Sequence, residues 1–64
     1  MPNVSIDGPK IRDLNIKRQL IKEITDALEK AYKIPRNAYN IVIRENPPEN
    51  VGVGGVLLAD RINK

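Results

Sequence analysis

Two residues near the start of the chain have types suited to proton transfer on an acid. Pro2 stands directly behind Met1. Methionine is generally removed when the next residue is small, and proline qualifies. The mature chain would then begin with a secondary amine. An α-amino group titrates near 8, and an apolar site or a nearby cation lowers that value. A neutral amine near pH 7 accepts a proton or attacks an electrophile. If Met1 stays, Pro2 is a tertiary amide without a basic lone pair. Taken alone, Pro2 reads as an ordinary proline with no chemical role. Arg12 offers a planar fork of donors for a carboxylate or phosphate, and it would favour the neutral form of a nearby amine. Taken alone, it reads as a solvated surface arginine.

Composition removes most other chemistry. The 64 residues include no Cys and no His. Disulfides, Cys/His zinc sites, haem ligation and iron–sulfur clusters are excluded, as are triads and dyads that need an imidazole or a thiol. Asp26 and Glu29 fall on the polar helix face and Glu45 and Glu49 flank prolines, so none is assigned an acid–base role. Gly52-Val53-Gly54-Gly55 opens no helix and matches neither a phosphate loop nor a dinucleotide fingerprint. Its Gly52-x-x-Gly55 spacing fits the clamp loop of KH domains, but the flanking helices that loop needs are not predicted. A hairpin or bulge is the reading for this segment.

The elements that must position Pro2 and Arg12 follow from periodicity. Asn3-Val4-Ser5-Ile6 alternates as a half-buried strand, and Asp7-Gly8-Pro9-Lys10 is a turn signal that ends it. Asp13 is placed as a helix N-cap. Ile16, Leu20, Ile21, Ile24, Ala27, Leu28 and Ala31 then form one helical stripe. Lys22–Asp26, Asp26–Lys30 and Glu29–Lys33 are spaced to pair on the opposite face. Pro35 disfavours helical geometry at Ile34, so the helix is predicted to end near Lys33. Tyr39–Arg44 reads as a second strand, with Tyr39, Ile41 and Ile43 on one face and Asn40, Val42 and Arg44 on the other. Val51–Leu58 reads as a bent β-hairpin or arm, not a helix.

Strand, helix, strand is a βαβ unit with parallel strands. One helix covers only one sheet face, whereas parallel sheets are normally covered on both. A chain of this size buries roughly 60% of its unfolded surface and is marginal alone. With disulfides excluded, oligomerisation is the expected source of extra burial. No apolar run of about 20 residues exists to span a membrane, and the start lacks a signal-peptide pattern. One soluble, cytoplasmic domain over residues 1–64 is expected. The net charge is +3 with a pI near 9.5. Both signs are interspersed, and Tyr32 and Tyr39 are the only aromatics, so a basic nucleic-acid-binding module is the weaker alternative.

Taken together, the chain resembles the 4-oxalocrotonate tautomerase family over nearly its whole length. The marks are Pro2 behind Met1, a strand, and Arg12 just before a helix running through Leu20-Ile21-Lys22-Glu23. Pro35, a β-rich strand and Gly52-Val53-Gly54-Gly55 follow in order. The resemblance implies an α+β fold: a βαβ protomer with a C-terminal β-hairpin, forming a four-stranded sheet across a homodimer. In that family the dimers often assemble further into hexamers as trimers of dimers, which leaves a dimer or a hexamer open here. The resemblance also implies catalysis without a cofactor or metal. Pro2 would act as general base and then acid on a small enol or dienol carboxylate, and Arg12 would bind and polarise the carboxylate. Hydration or dehalogenation of unsaturated acids uses the same proline in related proteins. Two positions depart from the family pattern. Asn40 stands where a second arginine is expected, and Val51 where a pocket phenylalanine is expected. Both weaken the case for a dicarboxylate dienol. Arg44 or Arg36 would supply the missing charge, or both are ordinary surface charges. An inactive structural oligomer is the remaining alternative.

Overall fold

The computed structural model describes residues 1–62. β1 (Asn3–Gly8) leads into α1 (Leu14–Tyr32), and the chain returns through a 3₁₀ turn (Arg36–Ala38) into β2 (Asn40–Glu45). A second 3₁₀ turn (Pro48–Asn50) precedes β3 (Gly52–Val53), β4 (Val56–Leu57) and a short α2 (Leu58–Ile62). β1 and β2 are parallel, in register from Asn3 opposite Asn40 to Gly8 opposite Glu45. The ladder continues past both ends: Asn40 N–H donates to Pro2 O at 3.1 Å, and Asn46 N–H to Gly8 O at 2.8 Å. β1 therefore runs two residues beyond the predicted Ile6. Pairing of Asp7 with Arg44 and Gly8 with Glu45 overrides the turn preference of Asp-Gly.

Local chemistry explains α1. Asp13 is its N-cap, extended in backbone, with Oδ1 accepting from Asn15 N–H at 2.8 Å. The helix ends on Lys33, which is left-handed at φ 58°, and its N–H donates to Glu29 O at 2.9 Å. Such a C-cap is usually glycine. Tyr39 then fixes the return. Its hydroxyl donates to Ile34 O at 3.0 Å and accepts from Ile34 N–H at 3.3 Å, and its ring sits 6.4 Å from that of Tyr32.

The expected pairs on α1 are only partly formed. Lys22 meets Asp26 at 2.9 Å. Asp26 and Glu29 are otherwise taken by Arg36, which the 3₁₀ turn lays back over the helix, with Arg36 Nη1 2.8 Å from Asp26 Oδ1. These two carboxylates are half-buried beneath it rather than on a solvated face. One guanidinium thus replaces Lys30 and Lys33 as their partner, because it reaches both carboxylates at once. The tail forms the expected antiparallel hairpin, β3 with β4. Gly54 and Gly55 both have positive φ, 61° and 84°, as a two-residue primed turn requires. The helix α2 was not expected; Leu58 and Ala59 are strong helix formers, and five residues are too few to show periodicity.

The two sheet faces differ as predicted. Val4, Ile6, Ile41 and Ile43 are half-buried; Asn3, Ser5, Asp7, Asn40, Val42 and Arg44 are exposed. The covered face lies under α1, where Ile21 and Thr25 border the same groove as Ile43. Burial nevertheless stays shallow. Among the described residues only Tyr39 is buried, at 9% exposure. Of the predicted apolar stripe, Leu20, Ile21, Ile24 and Leu28 are half-buried, whereas Ile16 (57% exposed), Ala27 and Ala31 remain open. Leu14, Val42, Val53, Val56 and Leu57 are open as well. The chain exposes 5179 Å², against about 4,100 Å² for a compact monomer of this mass. Its radius of gyration is 15.4 Å, against about 11 Å. A single copy has almost no interior. Among the described residues no helix is long and apolar enough to cross a membrane.

Candidate functional site

The fold sorts the sequence-predicted residues into two groups, one at each end of the parallel pair. Pro2 and Asn40 lie together at the starting end. Pro2 is half-buried and joined to Asn40 by the backbone bond already described, while Met1 in front of it is 81% exposed. The Asn40 side chain donates from Nδ2 to Asn3 Oδ1 at 3.2 Å, across the register pair. Two neutral amides therefore occupy the exposed face beside Pro2.

Arg12, Arg44 and Val51 lie at the finishing end. Arg12 is exposed in the loop between β1 and α1, and none of the ion pairs described involves it. Arg44 sits opposite Asp7, with Nη1 3.7 Å from Oδ2, both more than half exposed. Val51 borders a cleft of about 270 Å³ with Gly8, Pro9, Asn46 and Leu58, between the end of β1 and the start of α2. Arg36 belongs to neither group, being held by Asp26 and Glu29.

Strand geometry sets the gap between the groups. The six residues of β1, at about 3.3 Å each, place Pro2 and Arg12 roughly 20 Å apart along the strand. A small acid does not bridge that distance within one copy.

Glu45, given no role from sequence, is the most connected side chain at the finishing end. Its Oε2 accepts from Ile11 N–H at 2.8 Å and pairs with Lys17 Nζ at 2.9 Å. The Lys17 ammonium first, and then the Ile11 amide, hold the Glu45 carboxyl below its ordinary range. Lys22 and Arg36 lower Asp26 in the same way, and the carboxylates of Asp26 and Glu29 raise Arg36. Among the described residues no group of three or more acidic side chains converges as a metal site.

Comparison with known proteins agrees with this arrangement of elements. A family model described as "Tautomerase enzyme" matches residues 2–61. The chain is 36% identical over 61 residues to the probable tautomerase SAV1363 of Staphylococcus aureus, covering 95% of this chain and all of that one. The crystal structure of DmpI from Archaeoglobus fulgidus is 42% identical, with a TM-score of 0.80 over 92% of this chain and all of that one. A heterohexamer 4-oxalocrotonate tautomerase from Chloroflexus aurantiacus is 27% identical, with a TM-score of 0.79 over 94% of this chain and 97% of that one. Sequence match and shared βαβ-plus-hairpin fold converge, and the chain belongs to the 4-oxalocrotonate tautomerase family of isomerases.

Proposed function

We propose that the chain, as one domain, is a cofactor-independent tautomerase of small enol or dienol carboxylic acids. Pro2, freed by removal of Met1, is the base and then the acid. Its neutral amine takes a proton from one position of the conjugated system and returns it to a carbon at another. Arg12 binds the carboxylate and draws electron density toward it, so charge built up between the two proton transfers is stabilised at the acid end. Its positive charge also favours the neutral amine.

The observation that carries this reading is the placement of Pro2 and Arg12 beyond opposite ends of β1. Both outer edges of a two-stranded sheet are open to a further strand. When two copies join like edges about a two-fold axis, the joined strands run antiparallel. The start of one copy's strand then lies beside the end of its neighbour's, and Pro2 meets Arg12 of the partner subunit. The same pairing gives the open apolar residues a surface to bury against. A homodimer is the smallest functional unit, and a trimer of dimers extends it.

Intact-mass spectrometry paired with turnover of an enol pyruvate tests the reading. A mass lacking methionine, with activity lost in Pro2→Ala, supports it. Retained methionine in an active enzyme rules out the amine as base, and retained methionine in an inactive one favours a structural oligomer.

A further inference from the structure

Arg12 is itself exposed, yet the backbone on both sides of it is tied down. The residue before it, Ile11, gives its N–H to Glu45 across 34 residues of sequence. The residue after it, Asp13, caps α1. Gly8 closes the same region by accepting from Asn46 N–H. Glu45 is thus the side chain that fastens the middle of the Arg12 loop to the end of β2. A bare carboxylate there carries a second consequence. It would attract the Arg12 guanidinium and repel an incoming acid. Lys17, from the first turns of α1, neutralises it at 2.9 Å. The Glu45–Lys17 pair sums to no net charge, as does the Asp7–Arg44 pair at the preceding register position. Lys10 adds a weaker attraction to Glu45. None of the ion pairs described takes up Arg12, whose neighbour Asp13 is turned to the cap of α1.

We propose that Glu45 is a positioning residue for Arg12, and that Lys17 is the counter-charge that keeps Glu45 from competing with the substrate's carboxylate. This rests on Arg12 being the carboxylate-binding group. Glu45 sets the direction from which the guanidinium meets the acid; Lys17 lets it do so without an electrostatic penalty on the substrate.

The test is steady-state kinetics on an enol pyruvate with Glu45→Ala, Glu45→Gln, Lys17→Met and the Glu45→Gln/Lys17→Met double variant, with Arg12→Ala as control. Glu45→Ala should raise KM about tenfold with kcat within about twofold, the loss of a charge-assisted anchor. Glu45→Gln keeps an acceptor for the Ile11 amide and should lose less. Lys17→Met should raise KM, and adding Glu45→Gln should lower it again, because the unbalanced anion is gone. Amide exchange at Ile11 should speed up about tenfold or more in Glu45→Ala and remain slow in Glu45→Gln. KM unchanged in every Glu45 and Lys17 variant, while Arg12→Ala raises it, overturns the positioning role alone. A double variant worse than Lys17→Met overturns the counter-charge role. An Arg12→Ala enzyme with unchanged KM overturns the parent reading, and this inference with it.

Discussion

Pro2 and Arg12 lie beyond opposite ends of β1, with Asn3–Gly8 between them, and the proposed site therefore draws them from two copies. The proposed second copy agrees with the shallow burial, in which Tyr39 alone among the described residues is buried. Concentrations low enough to dissociate the assembly should therefore abolish activity and folded structure together. Turnover and circular dichroism measured over one dilution series check this; a folded, inactive monomer would separate the two roles of the interface.

Removing the two principal groups should give different kinetic signatures. With Met1 removed as proposed, Pro2→Ala replaces a secondary amine with a primary one in altered geometry, and kcat should fall by about a hundredfold or more. Arg12→Ala should act mainly on KM, by about ten- to a hundredfold, since it removes charge-assisted bonds to the acid.

Asn40 beside Pro2 should set how many acid groups the substrate carries. The amides of Asn3 and Asn40 face each other with no charge between them, and Arg44 already has Asp7 within 3.7 Å. The natural enzyme should prefer a dienol with one carboxylate over its dicarboxylate counterpart. Asn40→Arg should shift the ratio of kcat/KM toward the dicarboxylate by about tenfold. An unchanged ratio would show that the second acid group is recognised elsewhere.

Acid should loosen the Arg12 loop through Glu45. Its carboxyl titrates below its ordinary value of 4.5 because Lys17 and the Ile11 amide stabilise the charged form. A lowered folded-state pKa contributes stability that is fully present above the unfolded value and is lost as pH falls through the folded one. The natural protein should therefore lose stability on the acid side of 4.5, and Glu45→Gln should flatten that limb. Asp26, lowered from 3.8 by Lys22 and Arg36, acts in the same direction at lower pH. Thermal melts at fixed protein concentration from neutral to acid pH read both.

Lys33 holds a left-handed conformation at φ 58° that costs an L-residue about 1–2 kcal/mol. Lys33→Gly relieves that strain but adds freedom to the unfolded chain, about 0.4–1 kcal/mol in the other direction. A net stabilisation of about 0–1.6 kcal/mol is expected in chemical denaturation, with no change in KM.

Local signals carried most of the fold. The Asp13 cap, the apolar spacing from Leu20 to Leu28 and Pro35 bounded α1 to within a residue of Leu14–Tyr32. The alternation Tyr39 to Arg44 assigned the faces of β2, and Gly54-Gly55 marked the hairpin turn. The contacts that were not legible are long in sequence. Glu45 reaches Ile11 across 34 residues, and Arg36 reaches Asp26 across ten, through a turn whose direction no spacing reveals. The site divides the same way. Pro2 and Arg12 are singled out for the proposed chemistry by the family resemblance, since each alone reads as an ordinary residue. Their separation needs the length of β1, which strand pairing extended past an Asp-Gly turn signal. Ile16, Ala27 and Ala31 fit the helical stripe but stay open, because periodicity marks an apolar face without saying whether its own chain covers it.

Mixing two impaired variants, assayed with substrate well below KM, tests most directly whether Pro2 and Arg12 work across copies. Pro2→Ala and Arg12→Ala proteins would be purified separately, dissociated, combined in equal amounts and reassembled. If each site takes Pro2 from one copy and Arg12 from the other, random reassembly restores about a quarter of the sites, and the mixture should recover that share of natural turnover. A mixture as inactive as its parents would contradict the account, as would a Pro2→Ala parent that turns over at the natural rate.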